Sequence, residues 1–287
     1  MTLADLLRLT LLSALWGASF LFMRIVGPEL GPAWTTECRV LIAGLALLAL
    51  QYARGQRSAW RAHWRPLLVV GAFNTALPFT LLTFAALSLT AGYLAILNAT
   101  ASMWGALIGW LWLKRPLTRS RVAGALLGVL GVALVVRIGP LKVDGAVLLA
   151  CVASLAAACS YGWSANYLRR LPKSVPIGSM VAETQLAAAL ATLVAVPLAP
   201  PRVAVPSLTT VLGTLGLAFG CTALAYVLYF RLLASIGAHR TLTVTLLVPV
   251  FALLWGALFL GEEVTGRMLL GCAVVLAATW LFVQAKD

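Results

Sequence analysis

Charge is scarce in this chain, and acid scarcest of all. Eight Asp and Glu stand against 21 Lys and Arg in 287 residues, and charged side chains are 10% of the total. A soluble domain is about a quarter charged. A chain that is 62% hydrophobic has too little polar surface to face water, which excludes a soluble globular protein. There are two histidines, His63 and His239, both in loops or at helix ends. With so few acids, the paired carboxylates, Ser–His sets or metal clusters that an intramembrane enzyme needs do not assemble. Glu37 and Glu183 lie in different halves, near opposite faces. No G-x-x-x-x-G-K-[ST] loop occurs, which excludes a primary pump acting alone. No ring of charge or filter sequence marks a channel. The five cysteines, Cys38, Cys151, Cys159, Cys221 and Cys272, sit inside apolar runs without metal-like spacing. They read as small buried hydrophobes rather than disulfides or ligands. No metal and no cofactor is expected.

What is present is apolar run after apolar run. Ten runs are near spanning length, at roughly 5–26, 33–52, 66–88, 91–113, 121–138, 144–168, 175–198, 207–233, 238–260 and 266–284. Glycine and proline mark most boundaries, as in "GPELGP" and "RIGPLKVDG". The first run is too long for a cleaved signal and has no A-x-A-type site after it, so a retained helix is expected. The net charge of +13 is not gathered on one face, as nucleic-acid binding would require. It falls in alternate loops: Arg54, Arg57, Arg61 and Arg65; Lys114, Arg115, Arg119 and Arg121; Arg169, Arg170 and Lys173; Arg231 and Arg240. The opposite loops are poor in Lys and Arg or dilute them with acid. The positive-inside rule then places both termini in the cytoplasm, which requires an even number of spans. The expectation is an all-α integral membrane protein, multi-pass, in a bacterial cytoplasmic (inner) membrane.

An offset of 147 residues brings the chain onto itself. Ser13 meets Ser160, Trp16 meets Trp163, Thr75-Ala76-Leu77 meets Thr222-Ala223-Leu224, Gly109 meets Gly256, Thr118 meets Thr265 and Gly124 meets Gly271. The matched Trp and glycines mark an internal duplication, with repeats at 1–140 and 141–287. Five spans per repeat invert the second copy relative to the first. That arrangement belongs to alternating-access carriers, whose substrate site lies near the midplane between the repeats.

The motifs "ALWGASF" at 14–20, "ECR" at 37–39 and "PVFALLWGALFLGEEVTGRMLLGCAVVLAA" at 249–278 resemble the ten-helix EamA-type members of the drug/metabolite transporter superfamily. A weaker first-half counterpart runs from Ala101 to Val132. The first copy has Ser102 in place of Pro249 and Lys114–Arg115 in place of Gly261–Glu262. The resemblance implies a secondary transporter exporting small amphipathic metabolites, amino acids foremost, aromatic ones and methionine among them. A drug or other-metabolite exporter of the same fold is the alternative. It also implies a cavity lined by spans 1, 3, 4, 6, 8 and 9, with the fifth and tenth spans set apart as a packing layer.

A cavity needs few polar groups on apolar walls. Candidate substrate-binding residues are Ser13 and Trp16, which share a helix face, and their counterparts Ser160 and Trp163. Asn74 and Pro78 in span 3, Thr222 and Tyr226 in span 8, and Asn98 and Ser102 in span 4 complete the set. A mid-membrane Asn needs a partner, and a proline frees a carbonyl that must be satisfied nearby. Arg24, Glu37 and Arg39 are expected to form an ion-pair cluster toward the outer side. Glu183 is expected to pair with Arg231 or Arg240, or to carry a coupling proton. These four are the candidate gate or coupling residues. The small-xxx-small pairs Gly124–Gly128, Gly105–Gly109 and Gly216–Gly220 are read as packing within one chain. The expected partners are a small-molecule substrate and the lipid bilayer, with the protein a monomer.

Overall fold

The structure, a computed structural model, describes residues 1–58, 60–114, 118–138, 144–171 and 180–284. The expected repeat boundary at 140/141, the start of the run at 175, and the loop cations Arg115, Lys142 and Lys173 lie outside these residues. Among the described residues every regular element is a helix, with no strand.

Helix α1 runs from Leu3 to Ala53 and merges the first two apolar runs. An unbroken helix of 51 residues would reach about 75 Å, more than twice a ~30 Å hydrocarbon core. Gly31 divides it, with φ 75° and ψ 168°, a conformation that glycine adopts without steric cost. Then come α2 (Trp60–Gly71), a π-helical turn at Ala72–Ala76, and α3 (Leu77–Ala85). Helices α4 (Ala91–Asn98) and α5 (Ala101–Leu113) share the fourth run, interrupted at 99–100. Helices α6 (Arg119–Ile138), α7 (Gly145–Arg170) and α8 (Val181–Thr192) follow, then α9 (Leu208–Leu215) and a second π-helical stretch at Gly216–Leu224. Helices α10 (Ala225–Thr241), α11 (Val244–Leu260) and α12 (Gly266–Gln284) end the fold.

Six described helical stretches are long and apolar enough to cross a membrane: Leu3–Ala53, Trp60–Ala85, Ala91–Leu113, Gly145–Arg170, Val181–Leu198 and Leu208–Gly237. Shorter apolar helices lie at Val122–Leu134, Val244–Leu260 and Gly266–Leu281. The outer surface is greasy. Leu126, Val129, Leu148, Leu190, Leu212 and Leu258 are all more than half exposed, as side chains facing lipid tails are.

Close packing follows from glycine. A Cβ on Gly162 would stand 2.5 Å from the Gly105 backbone nitrogen, so α7 and α5 touch main chain to main chain. Gly17 meets Phe251 and Ala252 of α11, Gly71 meets Ala187 and Ala188 of α8, and Gly216 meets the Phe22 ring. The glycines at 105, 128 and 216 thus face neighbours of the same chain. Helices α6 and α12 pack against each other, and none of their described residues lines the central cavity.

Candidate functional site

The two π-helical stretches border the same space. In the first, the Leu77 amide donates to Ala72 O, five residues back. Continued by one residue, that register would pair the Pro78 nitrogen with Phe73 O, but proline has no N–H to give. Ser160 Oγ donates to Phe73 O instead, at 2.6 Å. In the second, Thr222 Oγ1 donates to Leu217 O, also five residues back, at 2.8 Å. Single-turn π insertions recur at functional sites because they re-aim side chains. The break in the fourth run frees Ala99 O, which accepts from Ser102 Oγ and Thr279 Oγ1.

Between these elements lies a cavity of about 600 Å³. Its walls are Trp16, Ser19, Phe20 and Met23 of the first half of α1, and Arg39 of the second. Asn74, Phe79 and Leu82 come from the third run, and Asn98, Ser102, Gly105 and Gly109 from the fourth. Helix α7 adds Tyr161, Gly162, Asn166 and Arg169. Cys221, Tyr226 and Tyr229 come from the second π stretch and α10, Leu242 from the turn after α10, and Thr245, Val248 and Pro249 from α11. Val181 and Thr184 of α8 also line it. The second and seventh runs therefore join the six that the resemblance implied, because the long Arg39 side chain and the start of α8 reach inward.

On one side the lining extends to helix ends, at Val181, Arg169 and Leu242. On the other it stops at Met23 and Leu82, beneath a polar latch. Arg24 Nε meets Glu262 Oε1 at 2.7 Å, and Arg24 Nη1 donates to Leu89 O. Glu262 also accepts from the Ala91 amide at 2.9 Å, at the N-terminus of α4, where a carboxylate is favoured. Burial raises the Glu262 carboxyl above its ordinary value, against the lowering effect of the Ala91 amide and Arg24.

Of the residues singled out from sequence, Trp16, Asn74, Asn98, Ser102, Tyr226 and Arg39 line the cavity. Trp16 packs on Tyr229, ring centroids 5.6 Å apart. Ser13 does not line the cavity: it is fully buried, and its Oγ donates to Leu9 O one turn back. Ser160, Pro78 and Thr222 serve the π stretches. Trp163 leaves the symmetric lining expected of it. It stacks on Trp112 and Tyr167 at 5.7 and 5.4 Å and leans on Phe73.

The expected ion-pair cluster does not form. Arg24 pairs with Glu262, Glu37 accepts from Thr192 Oγ1 at 2.6 Å, and Arg39 turns to Thr222. These residues point to different neighbours around the helix, so each finds a separate partner. Glu183 accepts from Gln51 Nε2 at 2.9 Å, while Arg231 and Arg240 are exposed. The extended arginine stems carry their charge to the surface, and neither pairs with the buried carboxylate.

Sequence reasoning missed Tyr161, Tyr229, Ser19 and Asn166. Asn166 Nδ2 bridges Gly105 O at 2.7 Å and Gly162 O at 2.9 Å, lashing α7 to α5. Asn166 lies two residues from the end of its run, so the mid-membrane rule that selected Asn98 does not reach it.

Residues 6–137 and 147–284 each match the EamA-like transporter family. Protein PecM of Dickeya dadantii is 26% identical over 265 residues, covering 92% of this chain and 86% of that protein. An uncharacterised transporter of Bacillus subtilis, YvbV, is 24% identical over 96% of this chain and 90% of its own length. A probable amino-acid metabolite efflux pump of Salmonella typhimurium is 38% identical over 74 residues, 26% of this chain and 25% of that protein. A solved crystal structure, 19% identical, covers 98% of this chain and 96% of its own with a TM-score of 0.64, so the fold is shared. With both matched segments together spanning nearly all of it, this chain belongs to the EamA-like transporter family, a family of multi-pass membrane transporters.

Proposed function

We propose that the protein is a secondary carrier that exports small amphipathic metabolites by alternating access, with amino acids, aromatic ones and methionine among them, as the leading substrate class. The observation that carries this reading is the cavity, latched at one end and reaching helix ends at the other. Shifted by 147 residues, its lining falls on itself: Ser19 on Asn166, Asn74 on Cys221, Phe79 on Tyr226, Leu82 on Tyr229, Asn98 on Thr245 and Ser102 on Pro249. The π stretch at 72–76 falls on 219–223, inside the second π stretch. This supports two inverted five-span repeats, ten spans in all, with the substrate held where they meet.

The lysine and arginine pattern supports cytoplasmic termini and an inner-membrane location. In that orientation the open end faces the cytoplasm and the Arg24–Glu262 latch closes the outside, the state in which an exporter loads. The volume suits one small molecule, and the walls mix aromatic rings with a few amides and hydroxyls. In-chain glycine packing supports a monomer. The relative with an efflux name supports amino-acid metabolites over 74 residues only. An exporter of drugs or other metabolites with the same fold is favoured by the aromatic share of the wall, Trp16, Phe79, Tyr161, Tyr226 and Tyr229.

The test is purified protein in liposomes, with labelled amino acids and dyes, with and without a pH gradient. Saturable amino-acid flux, impaired in Trp16→Ala and Asn98→Ala at unchanged expression, is expected. Flux of dyes alone moves the substrate class to the alternative, and unchanged rates in both variants contradict the site. Flux indifferent to the gradient removes Glu183 from proton coupling.

A further inference from the structure

Arg39 is a cation in an unusual position. It lies in the apolar part of the bundle, 3% exposed, and lines the cavity. Its Nε donates to Thr222 Oγ1 at 2.8 Å and its Nη2 to Ser19 Oγ at 3.4 Å. The guanidinium lies 3.7 Å over the Phe79 ring. Nη1 is buried without a partner. Every contact named is neutral, and no carboxylate among the described residues pairs with it. The ionisable groups that act on it, Cys221, Tyr161 and Tyr226, are neutral at neutral pH. An uncompensated buried charge is costly, and intramembrane charges mark substrate pathways.

Resting on the carrier reading above, we propose that Arg39 is the residue that recognises the substrate's carboxylate. Thr222, Ser19 and the Phe79 ring position the guanidinium and leave Nη1 to the ligand. One cation is neutralised by a monoanion, whereas a phosphate dianion would leave net negative charge among apolar walls. The exposed Arg169 stands at the mouth and does not share the deep site. On the same walls, the side-chain oxygen of Asn98 is buried without a hydrogen-bond donor. It is an acceptor for an ammonium group. A guanidinium and an amide oxygen around apolar rings suit a zwitterion with a hydrophobic side chain.

The test compares phenylalanine and methionine with their carboxamides, which keep the ammonium and side chain and lose the carboxylate. Thermal stabilisation of the purified full-length protein is measured beside flux in liposomes. The acids stabilise the wild type and the amides do so at least tenfold less well, the worth of a charge-assisted hydrogen bond. Arg39→Gln loses that preference and Arg39→Lys retains part of it. The wild-type comparison stands even where Arg39→Gln does not fold. Equal stabilisation by acids and amides, stabilisation by neither, or an unchanged preference in Arg39→Gln overturns the assignment. Stabilisation by acids without flux upholds the carboxylate site and contradicts the carrier reading. Equal flux of acids and amides upholds the carrier and overturns Arg39.

Discussion

Single residues in this protein divide between those that hold the backbone and those that face the cavity, and their types alone do not tell which. Ser160 and Ser102 are both serines in apolar runs. Ser160 Oγ answers the carbonyl that Pro78 leaves free, while Ser102 lines the cavity. Ser160→Ala is therefore expected to lower stability by about 1–3 kcal/mol, the cost of a buried unsatisfied carbonyl, read as a fall in melting temperature. Asn98→Ala, whose buried side-chain oxygen has no partner to lose, should leave the melting temperature within a few degrees and reduce flux. Residue types at helical spacing were legible in the sequence, and they led to Trp16, Asn74, Asn98, Ser102 and Tyr226. Their partners were not. Arg39 meets Thr222 across 183 positions and Glu37 meets Thr192 across 155. Pairs so distant depend on how helices dock, which no local pattern specifies.

The elements show the same backbone solution reached with different residues. Helix α11 ends in a left-handed turn at Gly261, φ 64°, whose amide donates to Gly256 O. Helix α5 ends in the same turn at Lys114, φ 55°, whose amide donates to Gly109 O, 147 residues earlier. A lysine in that conformation carries about 1 kcal/mol of strain. Lys114→Gly should therefore stabilise the protein by up to about 1 kcal/mol, less the chain entropy that glycine adds to the unfolded state. A fall in melting temperature would contradict this. Gly162→Ala has no such relief. Its Cβ would stand 2.5 Å from Gly105 N and 2.8 Å from Trp104 C, backbone atoms that yield only if α5 and α7 part. Loss of folded yield is expected, at a cost of about 1–3 kcal/mol or more. Helix existence was legible because apolar runs and Gly/Pro boundaries are local. The π stretches were not: the first involves Pro78 together with a serine 82 positions away, and the second has Thr222 on the Leu217 carbonyl with no proline to mark it.

For the molecule as a whole, the Arg24–Glu262 latch joins the first helix to the turns at 88–91 and 261–265. The sequence flagged Gly261–Glu262 as a motif and Arg24 as a gate, without indicating that they meet. Closure buries Glu262 and raises its carboxyl above the ordinary value, and opening to water would return it there. The closed form thus binds the proton more tightly. Acidification favours closure, and opening is favoured as pH rises through the window just above the ordinary glutamate value of about 4.3. Below that value both forms are protonated and the dependence ends. A Met23→Cys probe in a cysteine-free background should gain reactivity toward an impermeant thiol reagent, added outside, as pH rises through that window, once its rate is divided by that of free cysteine at the same pH to remove the thiol's own titration. Glu262→Gln should abolish the pH dependence, and a dependence retained in that variant would remove the latch from gating.

Alternating access at one cavity makes a carrier exchange substrate across the membrane, which counterflow measures. Liposomes holding the purified protein are loaded with unlabelled phenylalanine or methionine and diluted into a trace of the labelled compound. A transient accumulation of label above equilibrium is expected, saturable in substrate and reduced at least tenfold in Asn98→Ala. Flux that equilibrates without overshoot and does not saturate, or no flux for any member of the amino-acid panel, would contradict it.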